Sequence, residues 1–114
     1  MNRSSVRARY QIFAVSDATG ATSEMVVRAA LAQFQVAEVE ILRLPNIQTV
    51  GEVRRAIETA QASKGIIVHT LVSEELRHAV LREGRERGVE TIDLIGPLLL
   101  RLSNQLRMPP LVRP

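Results

Sequence analysis

Two short segments carry the side chains best suited to chemistry, Ser16-Asp17-Ala18-Thr19-Gly20 and His69-Thr70-Leu71. The first offers hydroxyls, a carboxylate and a glycine directly before a predicted helix, whose free backbone N–H groups favour an anion. Asp17 would repel a bare phosphate unless a cation lay between them. The simpler interpretation is that Asp17, with Thr19 or Thr22, only caps the helix and tightens the turn. Both interpretations stay open, and the candidate ligand-binding residues are Ser16, Asp17, Thr19, Gly20, Thr22, His69 and Thr70.

His69 directly follows an apolar strand segment. The favoured interpretation is a neutral imidazole hydrogen-bonded to backbone, and the alternative is a ligand contact that faces Asp17. We predict no metal site, because the histidines and carboxylates match no metal-binding spacing such as HExxH. We predict no catalytic residue, because no nucleophile is evident beside a base. His78 is expected on an exposed helix face, and Asp93 is expected to cap the last helix.

The sequence contains no G-x-x-x-x-G-K-[ST] loop for holding nucleotide phosphates. Its only lysine, Lys64, precedes Gly65 at the start of a predicted strand, where it cannot serve such a loop. The segment SDATG is not a GxGxxG fingerprint either. We therefore expect no cofactor in this chain.

Apolar runs alternate with helical stripes and predict the elements that position these segments. The predicted strands are Tyr10–Val15, Val39–Leu44, Gly65–Thr70 and Val89–Leu94. The first helix presents one apolar stripe, made of Val26, Val27, Ala30, Leu31 and Phe34. Local signals mark the other helices. The second helix begins at the capping box Thr49/Glu52. The third begins at the N-cap Ser73 and ends near Gly88, and the fourth begins at Gly96-Pro97 and ends at Pro109-Pro110.

This alternation predicts a three-layer α/β fold with a parallel four-stranded sheet, βαβαβαβα. The first and third strands are the most apolar and should be central, whereas the second and fourth carry charges and should be edges. The expected order is therefore 2-1-3-4, as in flavodoxin-like or Rossmann-like sheets, with the candidate site at the carboxyl edge between strands one and three. Right-handed crossovers leave helix one alone on its face unless helix four joins it.

Helix four is rich in leucine on more than one side. Leu98, Leu99, Leu102 and Leu106 share a stripe that could cover the sheet beside helix one, whereas Leu100 points elsewhere. A helix of this kind often touches a second body. We expect a homodimer, with the interface residues Leu98, Leu100, Leu102 and Leu106.

The composition excludes several classes of protein. Hydrophobic residues make up 46% of the 114 residues, which is ordinary for one globular domain. The 15 basic residues exceed the 12 acidic ones by only +3 and are interleaved with them along the predicted helices, and aromatics are 3%. We therefore expect no nucleic-acid binding. No apolar run is long enough to span a membrane, no signal peptide is evident and cysteine is absent, so we expect a cytoplasmic protein.

Three ordered segments resemble the regulatory proteins of pyruvate,phosphate dikinase and phosphoenolpyruvate synthase. Val15-Ser16-Asp17-Ala18-Thr19-Gly20-Ala21-Thr22-Ser23-Glu24 is similar to the VSDSTGETAE-type opening of that family. His69-Thr70-Leu71-Val72 with Leu76-Arg77 resembles its (Y/H)TLV…LR segment, and Asp93-Leu94-Ile95-Gly96-Pro97-Leu98 its DL-hydrophobic-GPL segment. Ala18, Ala21 and Ser23 depart from the usual Ser, Glu and Ala, and Ala18 removes one hydroxyl from the turn.

The resemblance implies a bifunctional serine/threonine kinase and phosphorylase. The family phosphorylates a Thr of the dikinase or synthase with ADP as donor, and removes the phosphate with inorganic phosphate, releasing pyrophosphate. ADP, phosphate and Mg²⁺ would be used by a second, C-terminal P-loop domain that has no counterpart here, so no catalytic residue is carried over. This chain alone is expected to lack the activity.

The residue pattern predicts a basic extension at 1–9 and the α/β domain at 10–108, and the resemblance implies that 109–114 are the start of a linker to a C-terminal P-loop domain. The role of this domain in the regulator would be dimerisation, or docking of the catalytic domain or of the target enzyme. The alternative is a stand-alone regulatory domain that binds a small anionic ligand at the carboxyl edge of the sheet.

Overall fold

The computed structural model describes residues 10–34 and 38–112, which alternate between strands and helices. The strands are β1 (Tyr10–Ser16), β2 (Val39–Leu44), β3 (Ile66–Thr70) and β4 (Thr91–Asp93). The helices are α1 (Ala21–Leu31), α2 (Val50–Ser63), α3 (Glu74–Arg87) and α4 (Gly96–Leu106). The basic extension predicted at 1–9 and the last two residues of the predicted linker lie outside the described residues.

The sheet has the predicted order β2-β1-β3-β4, and every neighbouring pair is parallel. The apolar strands β1 and β3 are central because both of their faces are covered. The charged residues Glu40 and Arg43 lie on the edge strand β2, where solvent reaches them. Register pairs Val15 with His69, which brings the two candidate segments together at one edge of the sheet.

The main core lies between the sheet and the helices α2 and α3. Phe13, Val15 and Ile67 point into it from β1 and β3, and Val53, Ile57 and Val80 meet them from the helices, all at most 3% exposed. Burial of each such side chain stabilises the fold by about 1.5–3 kcal/mol. This core fixes the strands whose carboxyl ends carry the candidate site.

The predicted starts of α2, α3 and α4 and the predicted end of α3 are confirmed, whereas α4 ends at Leu106, before the predicted stop at Pro109-Pro110. Thr49 and Glu52 form a complete capping box at the start of α2, and the Ser73 hydroxyl accepts a hydrogen bond from the Leu76 N–H at the start of α3. Gly88 ends α3 with a left-handed backbone, and Pro97 lies in the first turn of α4. These local signals are readable from sequence because each involves residues at most four positions apart.

The stripe predicted for the first helix is largely wrong. Val27 is buried, but Val26 and Ala30 are exposed, and the helix ends at Leu31, before Phe34. The physical reason is that α1 packs mainly against the sheet and has no extensive contact with another helix among the described residues, so only its inner side is covered.

Helix α4 does not join α1 on the sheet, so the predicted cover by Leu98, Leu99, Leu102 and Leu106 is wrong. Gly96 is its only buried residue, and Leu99 is half-buried. The strand before it is also shorter than the predicted Val89–Leu94, because Leu94 and Ile95 already belong to the turn that Asp93 caps. The helix therefore leaves the domain with its leucines exposed.

Candidate functional site

The segment 16–20 forms a tight turn between β1 and α1, as predicted. The Ser16 hydroxyl accepts a hydrogen bond from the Ala18 N–H at 2.9 Å, and the Thr19 hydroxyl accepts one from the Ala21 N–H at 3.2 Å. Gly20 is the N-cap of α1 and has φ 88°, in the left-handed region that favours glycine. Thr19 and Thr22 are exposed, and Ser16 is buried. Much of the turn's hydrogen-bonding capacity is thus used to hold the turn.

Asp17 does not cap the helix, which corrects the simpler interpretation of its role. It is 7% exposed, and its Oδ2 accepts a hydrogen bond from the Val72 N–H at 3.0 Å. Its own carbonyl accepts one from Nε2 of Gln48 at 3.2 Å. The carboxylate therefore ties the turn after β1 to the loop after β3.

Sequence reasoning missed two further links at this edge. The Ser23 hydroxyl, which is fully buried, donates a hydrogen bond to the Thr70 hydroxyl at 3.2 Å and joins α1 to the end of β3. The Ile47 N–H donates to the Ser16 carbonyl at 2.9 Å and joins the loop after β2. Ser23 gave no signal, because a serine within an amphipathic helix has no local reason to be buried.

Arg77 connects the remaining loops. Its Nη1 donates hydrogen bonds to the carbonyls of Leu71 and Val72 at 3.1 and 2.7 Å, and its Nε lies 3.6 Å from Oδ2 of Asp93. Asp93 Oδ1 accepts hydrogen bonds from the N–H groups of Ile95 and Gly96 at 3.0 and 2.7 Å, so it caps α4 as predicted. All three family-like segments are therefore joined physically through Asp17, Arg77 and Asp93.

Within residues 10–34 and 38–112, Nδ1 of His69 does not form the backbone hydrogen bond predicted for this side chain. His69 is 3% exposed, and this buried nitrogen has no hydrogen-bond partner in that part of the chain. Burial lowers the pKa of the imidazole below its ordinary 6.5. The carboxylate of Asp93, on the neighbouring strand, raises this pKa, and the positive charge of Arg77 lowers it further. The charged groups beside His69 are thus Arg77 and Asp93. The Asp17 carboxylate instead accepts its hydrogen bond from the Val72 N–H.

Acid should destabilise the fold through His69. The unfolded chain binds a proton near pH 6.5, whereas the folded chain resists it, so the free energy of unfolding falls as pH drops from 7.5 towards 5. The stability that the lowered pKa values of Glu24 and Glu52 provide is lost mainly below about pH 5, so these groups contribute little within this window. Urea unfolding at pH 7.5 and at pH 5 should show this decrease in the free energy of unfolding. The variant His69→Leu should remove most of the decrease. His78→Gln, at the exposed histidine, is the control, and an unchanged pH dependence in His69→Leu would contradict the assignment.

Gly20→Val should lower the melting temperature more than Ala18→Ser. A Cβ at Gly20 would lie 3.3 Å from the Arg43 side chain and would sit on a backbone with φ 88°. We expect valine at position 20 to lower the free energy of unfolding by about 1–3 kcal/mol. Serine at the half-buried Ala18 should lower it by less than about 0.5 kcal/mol. Thermal melts of both variants give the comparison, and equal melting temperatures would show that the turn is not tight.

Within residues 10–34 and 38–112, no group of three or more His, Asp or Glu side chains is placed to hold a metal ion. None of the helices in this part of the chain has the length and apolar character needed to cross a membrane.

A second feature lies beside the carboxyl edge. An open apolar groove of about 340 Å³ runs between α4 and the segment 108–112, with Val72 as part of its lining. Leu102 and Leu106 line it, whereas the exposed Leu98 and Leu100 lie outside it.

The fold and the linked turns at its carboxyl edge define an α/β protein with a parallel four-stranded sheet of order 2-1-3-4. The model of one family, kinase/pyrophosphorylase, matches residues 12–114. The chain belongs to the kinase/pyrophosphorylase family, as the resemblance of its three segments predicted.

Its similarity to individual proteins agrees with this family. A protein of Chloroflexus aurantiacus is 41% identical over 103 residues, which are 90% of this chain and 37% of that protein. A protein of Shouchella clausii is 35% identical over 93% of this chain and 39% of its own length. Both are provisionally named pyruvate, phosphate dikinase regulatory proteins. The chain thus spans less than half the length of these curated relatives.

Proposed function

We propose that this chain is the N-terminal part of a bifunctional regulator of pyruvate,phosphate dikinase or phosphoenolpyruvate synthase. The whole regulator would phosphorylate a Thr of its target enzyme with ADP as donor, and would remove that phosphate with inorganic phosphate, releasing pyrophosphate. The family match over residues 12–114 carries this proposal. The names of the relatives favour the dikinase as the target, and such a regulator would work in the cytoplasm.

The part described here would contribute docking and dimerisation to that regulator. Leu98 and Leu100 of α4 are 57% and 60% exposed, and Leu102 and Leu106 are 44% and 58% exposed. A soluble domain rarely leaves so many neighbouring leucines in water, so their exposure favours an interface. A second copy packed on Leu98 and Leu100 would form a closed two-fold dimer, the commonest symmetric solution.

The phosphoryl chemistry would lie in another part of the regulator. ADP, phosphate and Mg²⁺ need a loop of backbone N–H groups with a lysine, together with carboxylates for the metal. Lys64, the only lysine of the sequence, ends α2 in a left-handed conformation, far in the fold from the SDATG turn at the opposite edge of the sheet. The residues of this chain therefore do not fit ADP, phosphate or Mg²⁺.

A phosphotransfer assay tests whether the phosphoryl chemistry lies in another part of the regulator. The 114-residue chain is incubated with the dikinase, ADP and Mg²⁺, and phosphothreonine on the dikinase is measured by mass spectrometry. We expect no phosphothreonine above the level without the chain. ADP-dependent phosphorylation by the chain alone would contradict the proposal that catalysis lies elsewhere.

A small anion at the carboxyl edge of the sheet is the second candidate function. Its residues would be Ser16, Asp17, Thr19, Gly20, Thr22, His69 and Thr70. The unpartnered Nδ1 of His69 favours it, since a buried polar atom without a partner is rare. Titration with inorganic phosphate, followed by NMR, should then shift amide signals at 17–22 and 69–71, and absent shifts would exclude this function.

A further inference from the structure

We propose that His69, Arg77 and Asp93 form a proton-controlled hinge that sets the direction of α4. His69 on β3 and Asp93 on β4 are register partners, so their side chains lie next to each other on the same face of the sheet. Arg77 reaches this face from α3, and its Nε lies 3.6 Å from Oδ2 of Asp93. Uptake of a proton by His69 draws the Asp93 carboxylate away from Arg77 and moves the first turn of α4 with it.

Helix α4 is attached to the domain mainly through its first turn. Gly96 is buried, Leu99 and Ser103 are half-buried, and the other residues of the helix are exposed. Among the described residues, no strand or other helix packs extensively against it. The Asp93 carboxylate holds its start through hydrogen bonds from the N–H groups of Ile95 and Gly96, at 3.0 and 2.7 Å. A change in the direction of this carboxylate therefore moves the whole helix.

The imidazole of His69 supplies the proton-dependent part of the hinge. It is buried, and its Nδ1 has no hydrogen-bond partner in the part of the chain that the structure describes. Protonation makes both ring nitrogens donors, so the imidazolium needs an acceptor as well as an opposite charge. Asp93 offers both. Its capping hydrogen bonds go to Oδ1, and Oδ2 lies beyond hydrogen-bond distance of Nε of Arg77, so Oδ2 is held only loosely.

The groups packed around His69 leave Asp93 as its partner. On β1 its register partner is Val15, and the side of α2 that faces the sheet is buried and apolar. Asp17, just after β1, accepts a hydrogen bond from the loop after β3. The acidic residues of α3 are the exposed Glu74, Glu75 and Glu86, and the buried Glu83, which pairs with Arg54 and Arg87.

The direction of the pH dependence follows from these surroundings. Burial lowers the pKa of His69 below 6.5, Asp93 raises it, and Arg77 lowers it. At neutral pH the imidazole is therefore uncharged, and Asp93 stays beside Arg77. As pH falls through the lowered pKa, the imidazolium forms and competes with Arg77 for the carboxylate. The movement of α4 precedes global unfolding, because only the contacts of its first turn have to change.

The distance between two spin labels, measured by pulsed electron paramagnetic resonance, tests the proposal. The chain has no cysteine, so labels can be attached at Ala62→Cys on α2 and Gln105→Cys on α4, both exposed positions. A large excess of unlabelled chain removes distances between copies. A rotation of about 20° at Gly96 would move the far end of α4 by roughly 4–5 Å. We expect a change of this size between pH 7.5 and pH 5, with its midpoint below 6.5.

Two further measurements make the result decisive. NMR resolves the imidazole signals of the two histidines and shows when His69 takes up its proton, and circular dichroism shows that the chain is still folded. An unchanged label distance while His69 becomes protonated would overturn the proposal. So would a His69 that takes up no proton before the chain unfolds.

Matched variants identify the groups responsible. His69→Leu removes the titrating group, and Asp93→Asn keeps an oxygen to cap α4 but removes the charge that the imidazolium attracts. Each should abolish the pH-dependent change in the label distance, whereas His78→Gln, at the exposed histidine of α3, should retain it in full. The same change in folded His69→Leu or Asp93→Asn would assign it to another group and overturn the proposal.

Discussion

Gly96→Ala should destabilise the fold more than any other glycine-to-alanine change at the carboxyl edge, by about 2–3 kcal/mol. A Cβ at this position would overlap Oδ2 of Asp93 and lie 3.0 Å from Nε of Arg77. Asp93 would have to move, and its hydrogen bonds to the start of α4 and its pairing with Arg77 would weaken together. We expect the melting temperature to fall by roughly 10 °C or more.

Gly51→Ala is the matched control for this prediction. It lies in the first turn of α2, and the nearest atom to its added Cβ would be the Thr49 hydroxyl at 3.8 Å. Alanine there should leave stability unchanged or raise it by up to about 1 kcal/mol, because alanine favours helix more than glycine does. Similar melting temperatures for the two variants would show that the Asp93–Arg77 contact does not hold the start of α4.

Leu100→Glu should weaken self-association at least about 100-fold without unfolding the domain. Two-fold symmetry removes the leucine from both copies, and each buried leucine contributes about 1.5–3 kcal/mol. The side chain is 60% exposed in the single chain, so its replacement costs little in the monomer. Sedimentation equilibrium gives the association constant, and circular dichroism checks that the variant is folded.

Leu81→Glu tests whether any exposed leucine would have the same effect. Leu81 lies on α3 and is 45% exposed, outside the leucine-rich surface of α4. We expect its association constant to equal that of the unaltered chain. Equal weakening by both variants would indicate a general effect of added charge rather than an interface at α4.

Strand order and helix caps could be predicted because their causes are local or compositional. The run Ile12-Phe13-Ala14-Val15 has no polar residue to face solvent, which requires a central strand. Thr49 meets Glu52, and Asp93 meets Gly96, over three residues each. Such contacts depend on spacing that the sequence displays directly.

The contacts that build the site could not be predicted in the same way. Asp17 and the Val72 N–H are 55 residues apart, and their meeting depends on the register of β1 against β3. Arg77 gives no sequence signal for its bonds to the Leu71 and Val72 carbonyls, because an arginine on a helix rich in charged residues usually faces solvent. The sequence also failed to predict that α4 does not pack beside α1 on the sheet. A leucine stripe indicates an apolar surface, but it does not indicate which surface packs against it.

The solution molar mass of the unaltered chain tests most directly whether the chain forms the proposed dimer. Sedimentation equilibrium over a range of chain concentrations gives this mass without any substitution. We predict a mass approaching twice the 12.7 kDa of the single chain as concentration rises. A mass that stays at 12.7 kDa at the highest concentration reached would contradict the proposed dimer.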